Sequence, residues 1–318
     1  MQTYVIRRLL ILVPVLLGIS IVVFVIMRLL PGDVAAMILS GPEGGVADPQ
    51  ALETLRLNLG LDQPLHIQYV TWVGGLLRLD AGLSLWSQRP VFQEIGERLP
   101  LTLELAILAL SISLVIALPI GILSALKQDT WVDYVFRVVS IGGLALPSFW
   151  IGTLTILALS LWFSYSPPLG YVRPTQDLWK NLQQLIWPAL VIGYNNAAIV
   201  SRMTRSTMLE VLRDDYVRTA RAKGLDMRTV LVRHAFRNAV LPVLTIAAIQ
   251  LGHLLGGAVL METIFTLPGV GRFLIDAIFR RDYPVVQTII MLMGLLFVSL
   301  NLVVDLLYGV LDPRIRYS

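Results

Sequence analysis

The sequence predicts an all-α integral membrane protein with six transmembrane helices and an external helical domain between the first two. Three observations lead to this fold class. Of the 318 residues, 56% are hydrophobic and only 14% are charged, whereas soluble domains carry about 25% charged residues. The apolar residues form blocks close to the length of about 20 residues that a helix needs to cross a bilayer. Positive charge is concentrated in one interval between these blocks, residues 202–238.

Six segments are predicted to cross the membrane as helices, because backbone in lipid must satisfy its hydrogen bonds internally. They are residues 9–30, 101–126, 138–163, 187–200, 240–261 and 287–311. We expect the first to be retained as a span, since it is too long for a signal peptide and lacks a cleavage site. The fourth is short and contains Asn195 and Asn196. Pro14, Pro119 and Pro147 lie inside spans, where each is expected to kink its helix.

Arginine and lysine in the short loops predict the orientation. Segment 202–238 holds nine of them, namely Arg202, Arg205, Arg213, Arg218, Arg221, Lys223, Arg228, Arg233 and Arg237. Six spans put both termini on the side of this segment, and both termini carry basic residues. The sequence therefore predicts a multi-pass protein with a cytoplasmic basic segment and cytoplasmic termini. Arg280 and Arg281 oppose this prediction, because they would lie outside.

The external domain, residues 31–100, contains local helix signals. Asp48 and Pro49 are suited to the N-cap and the first position of a helix that ends at Gly60. A second helix is expected from the Asp62-Gln63-Pro64 sequence through Trp72, and Arg89-Pro90 should begin a short amphipathic piece before the second span.

The chain is thus expected to have three parts. Residues 1–30 form the cytoplasmic N-terminus and the first span, and residues 31–100 form the external helical domain. Residues 101–318 form a core of five spans, which includes the basic segment 202–238.

The basic segment contains a predicted helix over residues 215–223, with Asp214 or Asp215 at its start and Gly224 as a left-handed end. A short helix with small residues that projects from the membrane suits a groove on another protein. We interpret it as a docking helix, formed by Asp215, Tyr216, Arg218, Thr219, Ala220, Ala222, Lys223, Gly224 and Leu225. The alternative is a solvated basic loop that follows the positive-inside rule. That alternative accounts for single arginines, but not for a helix ended by glycine.

The same segment resembles the "EAA" cytoplasmic loop of binding-protein-dependent ABC importers. Arg218 stands where the general pattern has glutamate, and Thr219 replaces its first alanine, as in the dipeptide, oligopeptide and nickel branch. The resemblance to that branch covers nearly the whole chain. Its motifs are residues 30–33, 59–65, 80–84, 262–265, 267–272, 281–284, 301–308 and 312–317.

This resemblance implies a type I permease fold in a bacterial inner membrane and a subunit that forms the translocation path for dipeptides or oligopeptides. Nickel complexes, glutathione-like peptides and sugars are alternative substrates. The implied partners are a second, homologous permease in a heterodimer, two ABC ATPase subunits, an external substrate-binding protein and the lipid bilayer, with no nucleic acid. ATP and magnesium would be held by the ATPases, and this chain would bind no cofactor.

The sequence argues against enzymatic activity in this chain. A P-loop requires lysine directly after glycine, and none of the three lysines, Lys127, Lys180 and Lys223, has that neighbour. Without cysteine, thiolate catalysis and cysteine-based metal sites are excluded, and the three histidines are far apart, so no metal site is predicted. An intramembrane enzyme would need a zinc or nucleophile motif that is missing. A receptor or scaffold without transport is the other alternative.

Polar residues within spans are costly and are often functional. Asn195, Asn196 and Gln250 are candidates for the translocation path, and interhelical hydrogen bonding is the alternative interpretation. Asn301 and Asp305 share a face of the last span and are interpreted as structural. We expect Asp305 to pair with an arginine on the cytoplasmic side.

Overall fold

The structure is a computed structural model that describes residues 2–29, 32–40 and 48–311, with side chains for 10–29, 32–39, 48–254, 256 and 258–303. Most of these residues are helical, and the others form loops and an isolated bridge between Leu83 and Pro90, which confirms the all-α prediction. The helices are α1 (Gln2–Leu29), α2 (Val34–Ser40), α3 (Pro49–Asn58), α4 (Leu65–Leu77), α5 (Val91–Leu126), α6 (Trp131–Ala145), α7 (Ser148–Phe163), α8 (Leu178–Val211), α9 (Asp215–Ala222), α10 (Met227–Thr229), α11 (Phe236–Ile264), α12 (Val270–Arg280) and α13 (Tyr283–Leu311). A π-helical segment, Val230–Ala235, joins α10 to α11.

Four helical stretches in the described part of the chain are long and apolar enough to cross a membrane: Leu10–Leu29, Val91–Leu126, Met227–Leu254 and Tyr283–Val303. The bent pair α6 and α7 makes a fifth if it is counted as one span. These stretches overlap five of the six predicted spans. The predicted fourth span lies within α8, which contains too many polar residues to be counted with these apolar stretches. The number of six spans therefore stays a prediction.

The third predicted span is not one kinked helix, and that prediction was wrong. Helix α6 ends at Ala145, α7 begins at Ser148, and the two axes differ by 100°. Pro147 has no N–H to continue the ladder, and it forces Leu146 into extended backbone with ψ 129°. The proline therefore ends α6 instead of kinking it.

Helix α8 extends beyond the fourth predicted span at both ends, and its crossing of the membrane stays a prediction. Helix α8 runs for 34 residues and continues through Pro188. Two polar side chains that precede the predicted start of this span are buried and hydrogen-bonded. Asn181 donates to the Val172 carbonyl at 2.9 Å, and Gln184 accepts from the Val172 N–H at 2.9 Å. A polar residue whose side chain is hydrogen-bonded inside the fold does not end a helix. The sequence pattern alone does not show that these side chains have such partners.

The helix starts predicted within residues 31–100 agree with the structure. Asp48 caps α3 through the Gln50 N–H, and Gly60 follows the helix with φ +64°. Helix α4 begins after Pro64 and continues to Leu77, past the predicted Trp72. The amphipathic piece after Pro90 and the second span are one helix, α5, of 36 residues.

The chain forms two compact units, which are described separately. The first comprises Met1–Pro100 and Gly269–Val298, and its core joins side chains of α1, α5, α12 and α13. The second comprises Leu101–Pro268 and Ser299–Ser318, and α8 contacts α6, α7 and α11 within it. The side of the membrane on which residues 31–100 lie stays a prediction.

Candidate functional site

Helix α9 begins at the predicted residue, Asp215, and ends at Ala222, one residue before the predicted end. It begins after Asp214, and at its other end Gly224 has φ +79°. The Gly224 N–H donates to the Arg221 carbonyl at 2.9 Å, and the Leu225 N–H donates to the Ala220 carbonyl at 3.4 Å. This pair of bonds is the Schellman arrangement, which requires a left-handed residue at the position of Gly224.

The inner face of α9 packs on the same chain. Val217 is fully buried and Ala220 is 7% exposed, and both contact Val230 of the π-helical segment. Val211 and Leu212, at the end of α8, cover them from the side. Ala220 therefore anchors α9 and is not available at the surface. Ala220 thus belongs to the predicted docking helix but lies on the face of α9 that packs on the same chain.

The outer face of α9 and the turn after it are exposed. Of the remaining predicted docking residues, all are exposed: Asp215, Tyr216, Arg218, Thr219, Ala222, Lys223, Gly224 and Leu225. Arg218 contacts Asp215 at 3.5 Å with both side chains in solvent. Large apolar side chains lie among them, with Leu225 41% and Met227 44% exposed. Apolar residues grouped on an otherwise basic surface are typical of an interaction site.

A hydrogen bond connects α9 to α11. The Asn238 amide donates to the Tyr216 hydroxyl at 2.7 Å. Beyond α9, a second apolar cluster holds Met208 of α8 against Ala235 and Ala239. Val211 and Leu212 belong to both clusters. The packing is therefore continuous from α9 to the ends of α8 and α11.

The turn after α9 is stabilised by a cap on α10. The Asp226 carboxylate accepts the Thr229 N–H at 3.1 Å. Hydrogen bonding to Thr229 lowers the pKa of Asp226 below its ordinary value. The carboxylate is therefore charged at neutral pH, as a helix N-terminus favours.

Sequence analysis missed a buried ion-pair network near this segment. Asp133 of α6 is fully buried and receives two hydrogen bonds from Arg205 of α8, at 2.9 and 2.8 Å. Arg137 and the Ser124 hydroxyl donate to the same carboxylate. Arg205 was counted only as a topology charge, yet it joins three helices. The spacing of Asp133 and Arg137 at i, i+4 was the signal available in the sequence.

The polar candidates for the translocation path make interhelical hydrogen bonds. The Gln250 amide of α11 donates to the Asn196 side chain of α8 at 2.6 Å, and both residues are 8% exposed. The Asn195 amide donates to the Gly143 carbonyl of α6 at 2.6 Å. The hydrogen bonds that formed the alternative interpretation are thus present, and a role in the path stays a prediction.

The last predicted pair is only partly described. Asn301 is half-buried in α13. The side chain of Asp305, with its predicted arginine partner at the cytoplasmic side, lies outside the described residues.

Two distant motifs of the sequence meet in the first unit. The Ser84 hydroxyl and the Leu85 N–H donate to the buried Asp282 carboxylate, at 2.5 and 3.2 Å. The Trp86 indole N–H donates to the Arg280 carbonyl at 2.8 Å. Burial raises the pKa of Asp282 above its ordinary value. This contact fastens the 80–90 segment to the junction of α12 and α13.

Comparison with known proteins then decides the family. A family model described as "Binding-protein-dependent transport system inner membrane component" matches residues 117–317, and the model for the N-terminal part of such components matches residues 1–106. The chain belongs to this family. It is therefore a transport component and a multi-pass protein of the inner membrane.

Several relatives match this chain over their full length. The chain is 41% identical to the dipeptide transport system permease protein DppB of Alkalihalophilus pseudofirmus, with 100% of both chains covered. It is 39% identical to DppB of Escherichia coli K12 and 41% identical to a putative peptide transport system permease protein of Brucella abortus, again with 100% of both chains covered.

Solved structures support the fold. The MetNI methionine ABC transporter in inward-facing conformations matches with a TM-score of 0.58 and 16% identity, covering 70% of this chain and 97% of that chain. An amino acid ABC transporter crystallised with histidines matches with a TM-score of 0.54 and 15% identity, covering 69% and 94%. The permease fold is thus shared across low sequence identity.

Proposed function

We propose that this permease is the membrane subunit of an ATP-driven importer of dipeptides and oligopeptides, and that α9 with residues 223–227 couples it to a separate ATPase. The observation that carries the coupling role is that α9 is buried on one face, while the turn and the short helix after it expose apolar side chains. Val217 and Ala220 bury its inner face in the core, while Leu225 and Met227 expose apolar surface beside basic residues.

This arrangement suits the transmission of force. A load on the outer face would pass through Val217 and Val230 to the apolar cluster shared by α8 and α11. Closure of the ATPases would then move α9 as a rigid lever and shift the helical core between two packings. The π-helical segment Val230–Ala235 lies on this route, and such segments are frequent at functional sites.

The peptide substrate is supported by full-length relatives, which are named as dipeptide or peptide transport permeases. Nickel complexes, glutathione-like peptides and sugars are the alternative substrates for the same machine. An external binding protein would select the substrate, and Asn195, Asn196 and Gln250 would contribute to the path in this permease.

The remaining partners follow from the same proposal. Two ABC ATPase subunits would bind ATP and magnesium, and a second, homologous permease would complete a heterodimer. Both termini and segment 202–238 would lie in the cytoplasm. The permease itself would bind no cofactor.

The proposal is tested with the complete transporter in proteoliposomes. The wild type should take up labelled dipeptide only with ATP and the loaded binding protein. Placing aspartate at Leu225 and Met227 together should remove the apolar contact, so that the ATPases no longer co-purify and uptake falls at least about tenfold. Leu169→Asp is the matched control, since Leu169 is 73% exposed and far from α9 in sequence.

The outcomes separate the two parts of the proposal. Normal uptake in the Leu225→Asp/Met227→Asp variant would contradict the coupling role. Wild-type uptake of a nickel complex or a sugar, with no uptake of any peptide, would contradict the peptide substrate alone.

A further inference from the structure

The first unit contains a groove that the transport proposal does not use. It lies between α1 and α4 and has a volume of about 550 Å³. Ile21, Val25 and Leu29 of α1 line it together with Leu65 and Tyr69 of α4. Helix α4 is held against α1 by a ring contact of 5.3 Å between the centroids of Phe24 and Tyr69. The groove is therefore a mainly apolar feature between two packed helices.

Counting Leu10–Leu29 as the first span places the groove at membrane depth. The Tyr69 hydroxyl is 2.8 Å from the Ser20 hydroxyl, and Ser20 precedes Leu29, the end of the first candidate span, by nine residues. At 1.5 Å per residue, this contact is about 13 Å from that end of the helix. Ile21 and Val25 are 51% and 44% exposed beside it. Such side chains at this depth are in contact with lipid unless another molecule covers them.

A cation stands at the end of the groove. The Arg28 guanidinium lines it and lies 5.0 Å and 4.3 Å from the ring centroids of Phe24 and Tyr283. Its Nε donates to the Gln68 side chain at 3.0 Å, but its buried Nη1 has no hydrogen-bond partner among the described residues. The groove's other arginine, Arg56, is already paired with Asp33. The Arg28 guanidinium therefore has no carboxylate partner among the described residues, and its charge is left for an anion in the groove.

We propose that this groove binds a phospholipid, with the phosphate on Arg28 and an acyl chain along Ile21 and Val25. A guanidinium matches the geometry of phosphate oxygens, and an unpaired charge next to hydrocarbon is costly. The lipid phosphate offsets that cost, while the acyl chain fills the apolar part of the groove. In the orientation proposed above, the lipid belongs to the outer leaflet. The site requires only that α1 spans the membrane, so it is independent of the transported substrate.

The test uses the complete transporter, purified and incubated with phosphatidylglycerol, with bound lipid counted by native mass spectrometry. Arg28→Gln should weaken binding about tenfold through loss of a charge-assisted hydrogen bond, and Arg28→Lys should retain most of it. Val25→Trp fills the groove while leaving Arg28 in place, so it should also lose the lipid. Val22→Trp is its control, because Val22 is 56% exposed on α1 and does not line the groove.

Loss of lipid in Arg28→Gln and Val25→Trp, with retention in the other two variants, supports the site. Equal lipid binding by the wild type and all four variants contradicts it. Displacement of the lipid by an equal concentration of inorganic phosphate also contradicts it, because Arg28 would then bind a free anion without help from the groove.

Discussion

The Asp133 carboxylate joins side chains of three helices in the second unit. It is fully buried and pairs with Arg205 and Arg137, which are 21% and 39% exposed. Removing this carboxylate takes away the acceptor that two partly exposed guanidinium groups share, and a hydrogen bond to a charged group contributes about 1.5–3 kcal/mol. The network therefore fixes the packing of α5, α6 and α8 close to the segment that we propose couples to the ATPase.

We predict that Asp133→Asn lowers the stability of the purified transporter by about 1.5–3 kcal/mol, the contribution of hydrogen bonds to a charged group. Asp129→Asn is the matched control: Asp129 also contacts Arg137, at 3.3 Å, but is 65% exposed. An exposed pair contributes at most about 1 kcal/mol. Thermal unfolding followed by tryptophan fluorescence distinguishes the two variants. Equal destabilisation by both would show that burial of Asp133 has no special role.

Single residues with strong local rules were predictable from the sequence. Asp48, Gly60 and Gly224 occupy the cap positions that their chemistry favours. The partners of Arg205 and Asn195 were not predictable, because their hydrogen bonds join residues more than 50 positions apart. The sequence analysis counted Arg205 only as evidence for the orientation of the protein in the membrane. A count of basic residues does not show which arginine pairs with a buried carboxylate.

At the scale of elements, α9 is the part whose integrity the proposed coupling needs. The left-handed backbone at Gly224 costs a residue with a side chain about 1–2 kcal/mol, although a side chain there would meet open space. Strain and not collision is therefore the expected effect of substitution.

This distinction gives a matched pair of variants. Gly224→Val should fray the end of α9, shift Leu225 and reduce ATP-driven uptake, while the protein is still inserted at normal abundance. Gly224→Asn should retain uptake, because asparagine tolerates the left-handed region. The measurement is dipeptide uptake normalised to permease in the membrane. Normal uptake by Gly224→Val would contradict the requirement for an intact α9.

Elements were predictable where one signal dominated. The length of the apolar segments located α1, α5, α11 and α13. The length of α8 was underestimated, because its polar side chains form hydrogen bonds inside the fold. Pro147 was known to disrupt a helix, but its sequence position did not distinguish a kink from the 100° break between α6 and α7.

In the assembled transporter, we propose that an ATPase covers the exposed turn after α9. The absence of cysteine from the natural chain makes a direct measurement possible. A single cysteine at Lys223, which is exposed, reports coverage through its reaction with a maleimide. A cysteine at the exposed Leu169 reports on a region that the proposal leaves uncovered by the ATPases.

The decisive measurement is the rate of maleimide labelling of Lys223→Cys in permease membranes with and without the ATPase subunits. We predict rapid labelling without them and at least about tenfold slower labelling in the complete complex, with Leu169→Cys unchanged. Equal labelling of Lys223→Cys in both preparations, with ATPase present in the complex, would contradict the proposal that the ATPase covers the turn after α9.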